Sequence, residues 1–409
     1  MKPAGSFAAA IFTAIASALA AAGGVVLLAG CTSCQTTVRT ATMPVIAAGT
    51  FDVLEADQTS HRLYLADRTS KGVDVVDISS ATPRFLSTIK LDGAPNGLAL
   101  APDRHRLYAA VAGGTVAVID TEASSPKSMQ VIESIKVHTA NADLLDYSPK
   151  TQRLYVGTGE EVVTVDTATN KVRLRLAAKT TVEQPRYDPA DGMVYVTAPG
   201  PDSLLQINPA TGNVTRTYVI KKCHPAGLGI NPTRQLAMVT CGGSVGLVNL
   251  NTGAQEVSRV VQGGDIVTYD SSADRFVVAS PHGGSDSAVG IFSGSGEFLG
   301  SVAATPKAHA AAFDALHGVV YTPSTAGLMS FTPAACAPPP DWLKFLGGLS
   351  VFAVPFLAFA LFLFLYARGR GRRTGQPSGP SFRDLQEQDL EMERERMRAL
   401  EEGILGPEG

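Results

Sequence analysis

The chain has 409 residues, of which 45% are hydrophobic and 17% charged, with 40 glycines, five cysteines and a formal net charge of −3. So small a net charge gives no basis for nucleic-acid binding. Low charge with many glycines suits short strands joined by tight turns, and the cysteine usage fits an oxidising compartment.

The N-terminus has Lys2, then an apolar, alanine-rich run from Phe7 to Gly30 that closes on Leu28-Ala29-Gly30-Cys31. This resembles a bacterial lipoprotein signal. The resemblance implies that residues 1–30 are removed and that Cys31 carries lipid. The run is also longer than a usual signal h-region, so an uncleaved N-terminal membrane helix is the other reading. Both readings export the middle of the chain. Residues 31–42 read as a linker.

Seven copies of one pattern fill residues 43–333. A tyrosine or bulky apolar residue sits in a short strand, a loop follows, and an alternating strand ends in Asp or Asn. The first copies are Leu63-Tyr64 with Val73 to Asp77, Leu107-Tyr108 with Val116 to Asp120, and Leu154-Tyr155 with Val162 to Asp166. Val194-Tyr195 with Leu204 to Asn208 and Leu236-Ala237 with Val245 to Asn249 come next. Phe276-Val277 with Val289 to Ser293 and Val320-Tyr321 with Leu328 to Phe331 complete the set. The mean period of about 43 residues lies in the range of four-stranded propeller blades. One such blade cannot bury both faces, whereas seven in a ring can. The expected fold is therefore all-β, a seven-bladed β-propeller.

In the second repeat the pattern predicts strands over Gly97–Ala101, Arg106–Val111, Thr115–Asp120 and Val131–Val137. The seventh repeat supplies three strands before the chain leaves. The segment from Pro44 to Ala48 is therefore expected to complete its sheet as a clasp that leaves no long exposed edge.

Residues 334–342, with Pro338-Pro339-Pro340, read as a stiff stalk. The segment 343–367 reads as one transmembrane helix. Its uncharged run from Phe345 to Tyr366 is long enough to cross about 30 Å of hydrocarbon. Arg368, Arg370, Arg372 and Arg373 follow, which places the tail, 368–409, in the cytoplasm and the propeller outside. From Ser381 to about Glu402 the tail reads as a short charged helix, either solvated or docking a cytoplasmic partner.

Tyr195-Val196-Thr197-Ala198, Val165-Asp166-Thr167 and Val118-Ile119-Asp120-Thr121 resemble the YVTN-repeat β-propeller family over about residues 50–332. The resemblance implies the fold and leaves function open, because such propellers host enzymes, ligand binders and scaffolds.

Propellers bind at one mouth of the central channel, near the starts of the innermost strands. Alignment of the copies places Asp52, Asn96, Asp143, Glu183, Ala226, Asp265 and His309 there, one per blade, with His224 beside Ala226. Carboxylates, an amide and imidazoles on one rim suit a hard cation or simply solvated strand starts. The remaining histidines lack the spacing of a zinc motif, and no phosphate loop, nucleophile elbow or haem motif is present. No cofactor is expected beyond a possible divalent cation at the mouth.

Cys223 and Cys241 flank one hairpin, and Cys34 and Cys336 flank the expected clasp. Each pair is a disulfide candidate. The alternatives are reduced thiols, or a Cys31–Cys34 bridge without lipid.

The leading expectation is a non-catalytic binding or scaffold module on the outer side of a bacterial cytoplasmic membrane, engaging an envelope protein or ligand. The rival is a metal-dependent, lactonase-like hydrolase at the channel mouth, with Asp52, Asp143, Glu183 and Asp265 on a metal and His309 or His224 as base.

Overall fold

A computed structural model describes residues 38–41, 51–281, 287–306, 308–325 and 327–333. The expected signal segment, stalk, membrane span and cytoplasmic helix lie outside the described residues, as do Cys31, Cys34, Cys336 and the segment 44–48.

Strand β1 is Val38–Ala41. Blade one is β2 (Phe51–Asp57), β3 (Arg62–Asp67), β4 (Gly72–Asp77) and β5 (Arg84–Lys90). Blade two is β6 (Pro95–Ala101), β7 (Arg106–Val111), β8 (Thr115–Asp120) and β9 (Gln130–Lys136). Blade three is β10 (Leu145–Ser148), β11 (Arg153–Gly157), β12 (Glu161–Asp166) and β13 (Lys171–Ala177). Blade four is β14 (Pro185–Tyr187), β15 (Val194–Ala198), β16 (Ser203–Ile207) and β17 (Val214–Val219). Blade five is β18 (Leu228–Asn231), β19 (Leu236–Cys241), β20 (Ser244–Asn249) and β21 (Gln255–Ser258). Blade six is β22 (Val267–Asp270), β23 (Arg275–Ser280), β24 (Ala288–Ser293) and β25 (Phe298–Ala303). Blade seven is β26 (Ala312–Asp314), β27 (Val319–Ser324) and β28 (Gly327–Phe331), with β1 as its fourth strand.

Every sheet is a four-stranded antiparallel meander in sequence order, apart from the β1 insertion. The first strands of successive blades touch one another, β2 with β6, β6 with β10, and so on to β18 with β22. The Ile266 amide donates to the His309 carbonyl (3.3 Å) and the Thr268 hydroxyl to the Ala311 carbonyl (2.9 Å), joining blade six to blade seven. Contact of β26 with β2 closes the ring. The first strands are therefore innermost, and seven blades surround one channel.

The repeat pattern has a physical cause at each position. The tyrosines Tyr64, Tyr108, Tyr155, Tyr195 and Tyr321 are fully buried on the second strands, where a large aromatic ring fills the space between blades. The Asp or Asn that ends the third strand caps the next turn. Asp166 Oδ1 accepts the amides of Ala168 (3.1 Å) and Thr169 (3.0 Å), and Asn249 Oδ1 those of Asn251 (3.1 Å) and Thr252 (2.8 Å). These are side-chain turns that a short carboxylate or amide can form and a longer residue cannot. In blades one, two, three, four and six the third strand then pairs with the fourth across a register shift, as at Val75/Val76, Val118/Ile119 and Thr164/Val165. A bulge there adds twist and blunts the outer edge.

Two expectations need correction. The clasp exists, but it is β1, paired antiparallel with β28 from Val38↔Phe331 to Ala41↔Leu328, and not residues 44–48. The outermost position of a blade is three strand spacings from the innermost, about 14 Å. From Ala48 to Phe51 the chain can extend only about 10 Å, so a strand at 44–48 would leave too little chain to reach β2. In blade five, Leu236 pairs with Asn249 as Arg62 pairs with Asp77. Met238, not Ala237, therefore occupies the tyrosine position.

Candidate functional site at the channel mouth

The innermost strands bring the rim residues to one backbone position. The amides of Asp143, Glu183, Ala226 and Asp265 donate to the carbonyls of Gly157, Thr197, Thr240 and Ala279, at 2.8 to 3.1 Å. In blades one and two the same position falls in a bulge, between Phe51 and Leu54 and between Pro95 and Gly97. Threonines tie the neighbours together, Thr197 Oγ1 donating to the Ala226 carbonyl (2.5 Å) and Thr240 Oγ1 to the Asp265 carbonyl (2.7 Å).

Five of the named residues form one electrostatic group. Asp265 Oδ2 meets His309 Nδ1 at 2.7 Å. Burial pushes Asp52 up, and Asp265 adds to this while Arg68 and His309 act against it. Burial also pushes Asp143 up to about 6, reinforced by Asp52 and Asp265 and opposed by Arg68. Glu183 is raised by burial, then by Asp143 and Asp265. Carboxylates from blades one, three, four and six thus repel one another across a half-buried mouth.

Two named residues stand apart. Asn96 is 8% exposed, and its Nδ2 donates to the Ala142 carbonyl at 2.9 Å, so its amide stitches blade two to blade three. His224 lies on an exposed loop, where its backbone amide donates to Asp202 Oδ1 at 2.7 Å. Among the described residues, no three His, Cys, Asp and Glu side chains come together tightly enough to hold a metal ion.

Two features escaped the sequence reading. Arg68, in the β3–β4 turn, ion-pairs with Asp52. Deeper in the ring lies a second tier of charge. Glu55, Asp146 and Arg186 pair with the strand-two tyrosines Tyr64, Tyr155 and Tyr195, which puts them at one level of three innermost strands. Arg186 Nη1 reaches Asp146 Oδ1 (3.4 Å) and the Leu145 carbonyl (3.4 Å), and its Nε donates to the Leu228 carbonyl (3.2 Å). Burial, with Asp146 adding and Arg186 opposing, pushes Glu55 up to about 7. Neither feature has a local signal. The first depends on the pairing of Phe51 with Asp67 inside blade one, and the second on which innermost strands face one another across the channel.

Cys223 and Cys241 form a disulfide, with Cα atoms 4.5 Å apart. It ties the loop before β18 to the end of β19, beside Ala226 on the rim.

The fold is similar to that of a chain in the solved structure of Kuenenia stuttgartiensis hydrazine synthase, with a TM-score of 0.61 over 73% of this chain and 98% of that one. Sequence identity is 14%, so the likeness is one of fold alone. No protein-family model matches the sequence, and no curated protein does.

Proposed function

We propose that the chain is a membrane-tethered binding module whose propeller stands outside the cytoplasmic membrane and takes a cationic group of a ligand or partner protein at its mouth. The observation that carries this is the acidic rim, where burial first and then neighbouring carboxylates, Asp265 among them, raise the proton affinity of Asp52, Asp143 and Glu183. Like charges held in a half-buried mouth are relieved by an arriving cation, and the same field steers cations toward the opening. The tether is a sequence reading. It rests on Leu28-Ala29-Gly30-Cys31, on the uncharged run 345–366 and on the arginines after it. The YVTN-type repeat pattern supports a scaffold that presents its mouth and names no activity.

The test is calorimetric titration of the full chain with spermidine at pH 8. Saturable binding that weakens at least tenfold in the Asp143→Asn/Glu183→Gln variant supports the reading. Equal heats for both proteins would end it. Protease treatment of intact spheroplasts tests the placement, since a propeller left uncut while the C-terminal tail is digested would reverse the topology. The Asp265–His309 contact is also an arrangement that orients an imidazole as a base. Ester or lactone turnover abolished by His309→Gln would favour the hydrolytic reading instead.

A further inference from the structure

Blade one carries a buried carboxylate where its six siblings have small or apolar residues. At one register position the second strand faces Ala117, Val163, Leu205, Gly246, Gly290 and Met329 in blades two to seven. In blade one the residue is Asp74, opposite Leu65. Asp67 pairs with Gly72, two residues before Asp74, so both carboxylates lie on one face of the blade with no side chain between them.

Both Asp67 and Asp74 are 0% exposed. Asp67 Oδ1 accepts the amides of Thr69 (2.9 Å) and Ser70 (3.1 Å), and Asp74 Oδ1 accepts the Thr88 hydroxyl (2.6 Å). The other oxygen of each carboxylate, together with Ser70 Oγ, is buried with no hydrogen-bond partner among the described residues. Lys90, on the same face, donates from Nζ to the Ser70 carbonyl at 3.2 Å. Burial, with Asp67 adding to it, pushes Asp74 up to about 6. Buried oxygens without partners are costly, and six sister blades fold with small or apolar residues at this position.

We propose that the β3–β4 hairpin of blade one is a binding site for one hard divalent cation, held by the second oxygens of Asp67 and Asp74 and by the Ser70 hydroxyl. Three oxygen donors, two of them anionic, suit Ca²⁺ or Mg²⁺ over a softer metal. The third donor is an alcohol, so the site lies outside any cluster of three acidic, His or Cys side chains. The turn over the site carries Arg68, the partner of Asp52. An occupied site would therefore fix the only turn that supplies a guanidinium to the described mouth contacts.

The experiment follows thermal unfolding of the full chain, stripped with EDTA, as Ca²⁺, Mg²⁺ or Na⁺ is added separately at pH 7.5. Wild type is expected to gain at least about 2–4 °C in saturating Ca²⁺ or Mg²⁺. Asp143→Asn, at the mouth, should gain as much. Asp74→Asn, which keeps an acceptor for Thr88, should gain nothing. Ser70→Ala should need several-fold more cation, and it keeps the test alive if Asp74→Asn fails to fold. No gain in wild type overturns the proposal, as does a gain that survives Asp74→Asn. A gain lost in Asp143→Asn but kept in Asp74→Asn overturns it in favour of the mouth. If Asp74→Asn simply melts higher than wild type and no divalent cation acts, the buried pair binds a proton instead, and the site is refuted.

Discussion

Replacing Asp143 by asparagine should stabilise the protein at high pH and leave it unchanged at low pH. The Asp143 carboxyl is held at about 6 against an ordinary 3.8, first by burial and then by Asp52 and Asp265. Between those two values the unfolded chain gives up its proton while the folded one keeps it. Stability therefore falls as pH rises through this window, and above about 6 the full penalty applies. At about 1.4 kcal/mol per unit the penalty approaches 3 kcal/mol, less what solvent at the open mouth screens away. Asparagine imitates the protonated acid in shape and cannot ionise. At pH 8 the variant should melt up to about 6 °C above wild type, and at pH 4 the two should coincide. Circular dichroism melts of both proteins at the two pH values give the comparison. A variant that is equally shifted at both, or less stable at pH 8, would refute the electrostatic account of the rim.

Opening the Cys223–Cys241 bridge by a double alanine substitution should cost about 3 kcal/mol, because it frees a loop of 18 residues in the unfolded chain. Denaturant titration measures this, and a loss under about 1 kcal/mol would contradict it. Removing Val38–Ala41 strips the β28 edge of its partner over four register pairs. At about 1 kcal/mol per lost backbone bond the loss is a few kcal/mol, and an unchanged melt would show that blade seven does not need the clasp. Gly227→Ala would drive a Cβ into the Asp265 carbonyl where blade five meets blade six. The expected result is a destabilisation of about 1–3 kcal/mol with weaker spermidine binding, and a neutral outcome would show that this close approach is not needed.

The blade count and most strand limits were legible because each repeat states its constraints locally. Arg106–Val111 and Thr115–Asp120 were read to the residue, since an alternating strand between turn-forming residues has one register that buries its apolar face. The shared backbone position of Asp143, Glu183, Ala226 and Asp265 was legible for the same reason, the repeat carrying equivalent residues to equivalent places. What failed was what pairing decides. Val38–Ala41 has a weaker strand signature than Pro44–Ala48, yet only the former leaves enough chain to reach β2. The blade-five tyrosine position was misread by one because Ala237 and Met238 are both apolar, and only the pairing of Leu236 with Asn249 distinguishes them. Asn96 shares the rim alignment, but the bond from its side-chain amide to blade three is set by how neighbouring blades pack and has no signal in the repeat. The Glu55–Asp146–Arg186 tier joins residues of three blades, and the Asp52–Arg68 pair rests on a bulged hairpin of blade one, so no local period encodes either.

The most direct test of the acidic mouth is a carboxyl ¹³C titration of the full chain labelled at aspartate, with Asp143 assigned by its asparagine variant. Asp143 should titrate near 6 in the free protein and fall toward ordinary carboxylate values when spermidine is bound, as a cation beside it favours the charged form. An Asp143 that titrates near 3.8 and does not respond to spermidine would contradict the coupled rim as a cation-binding site.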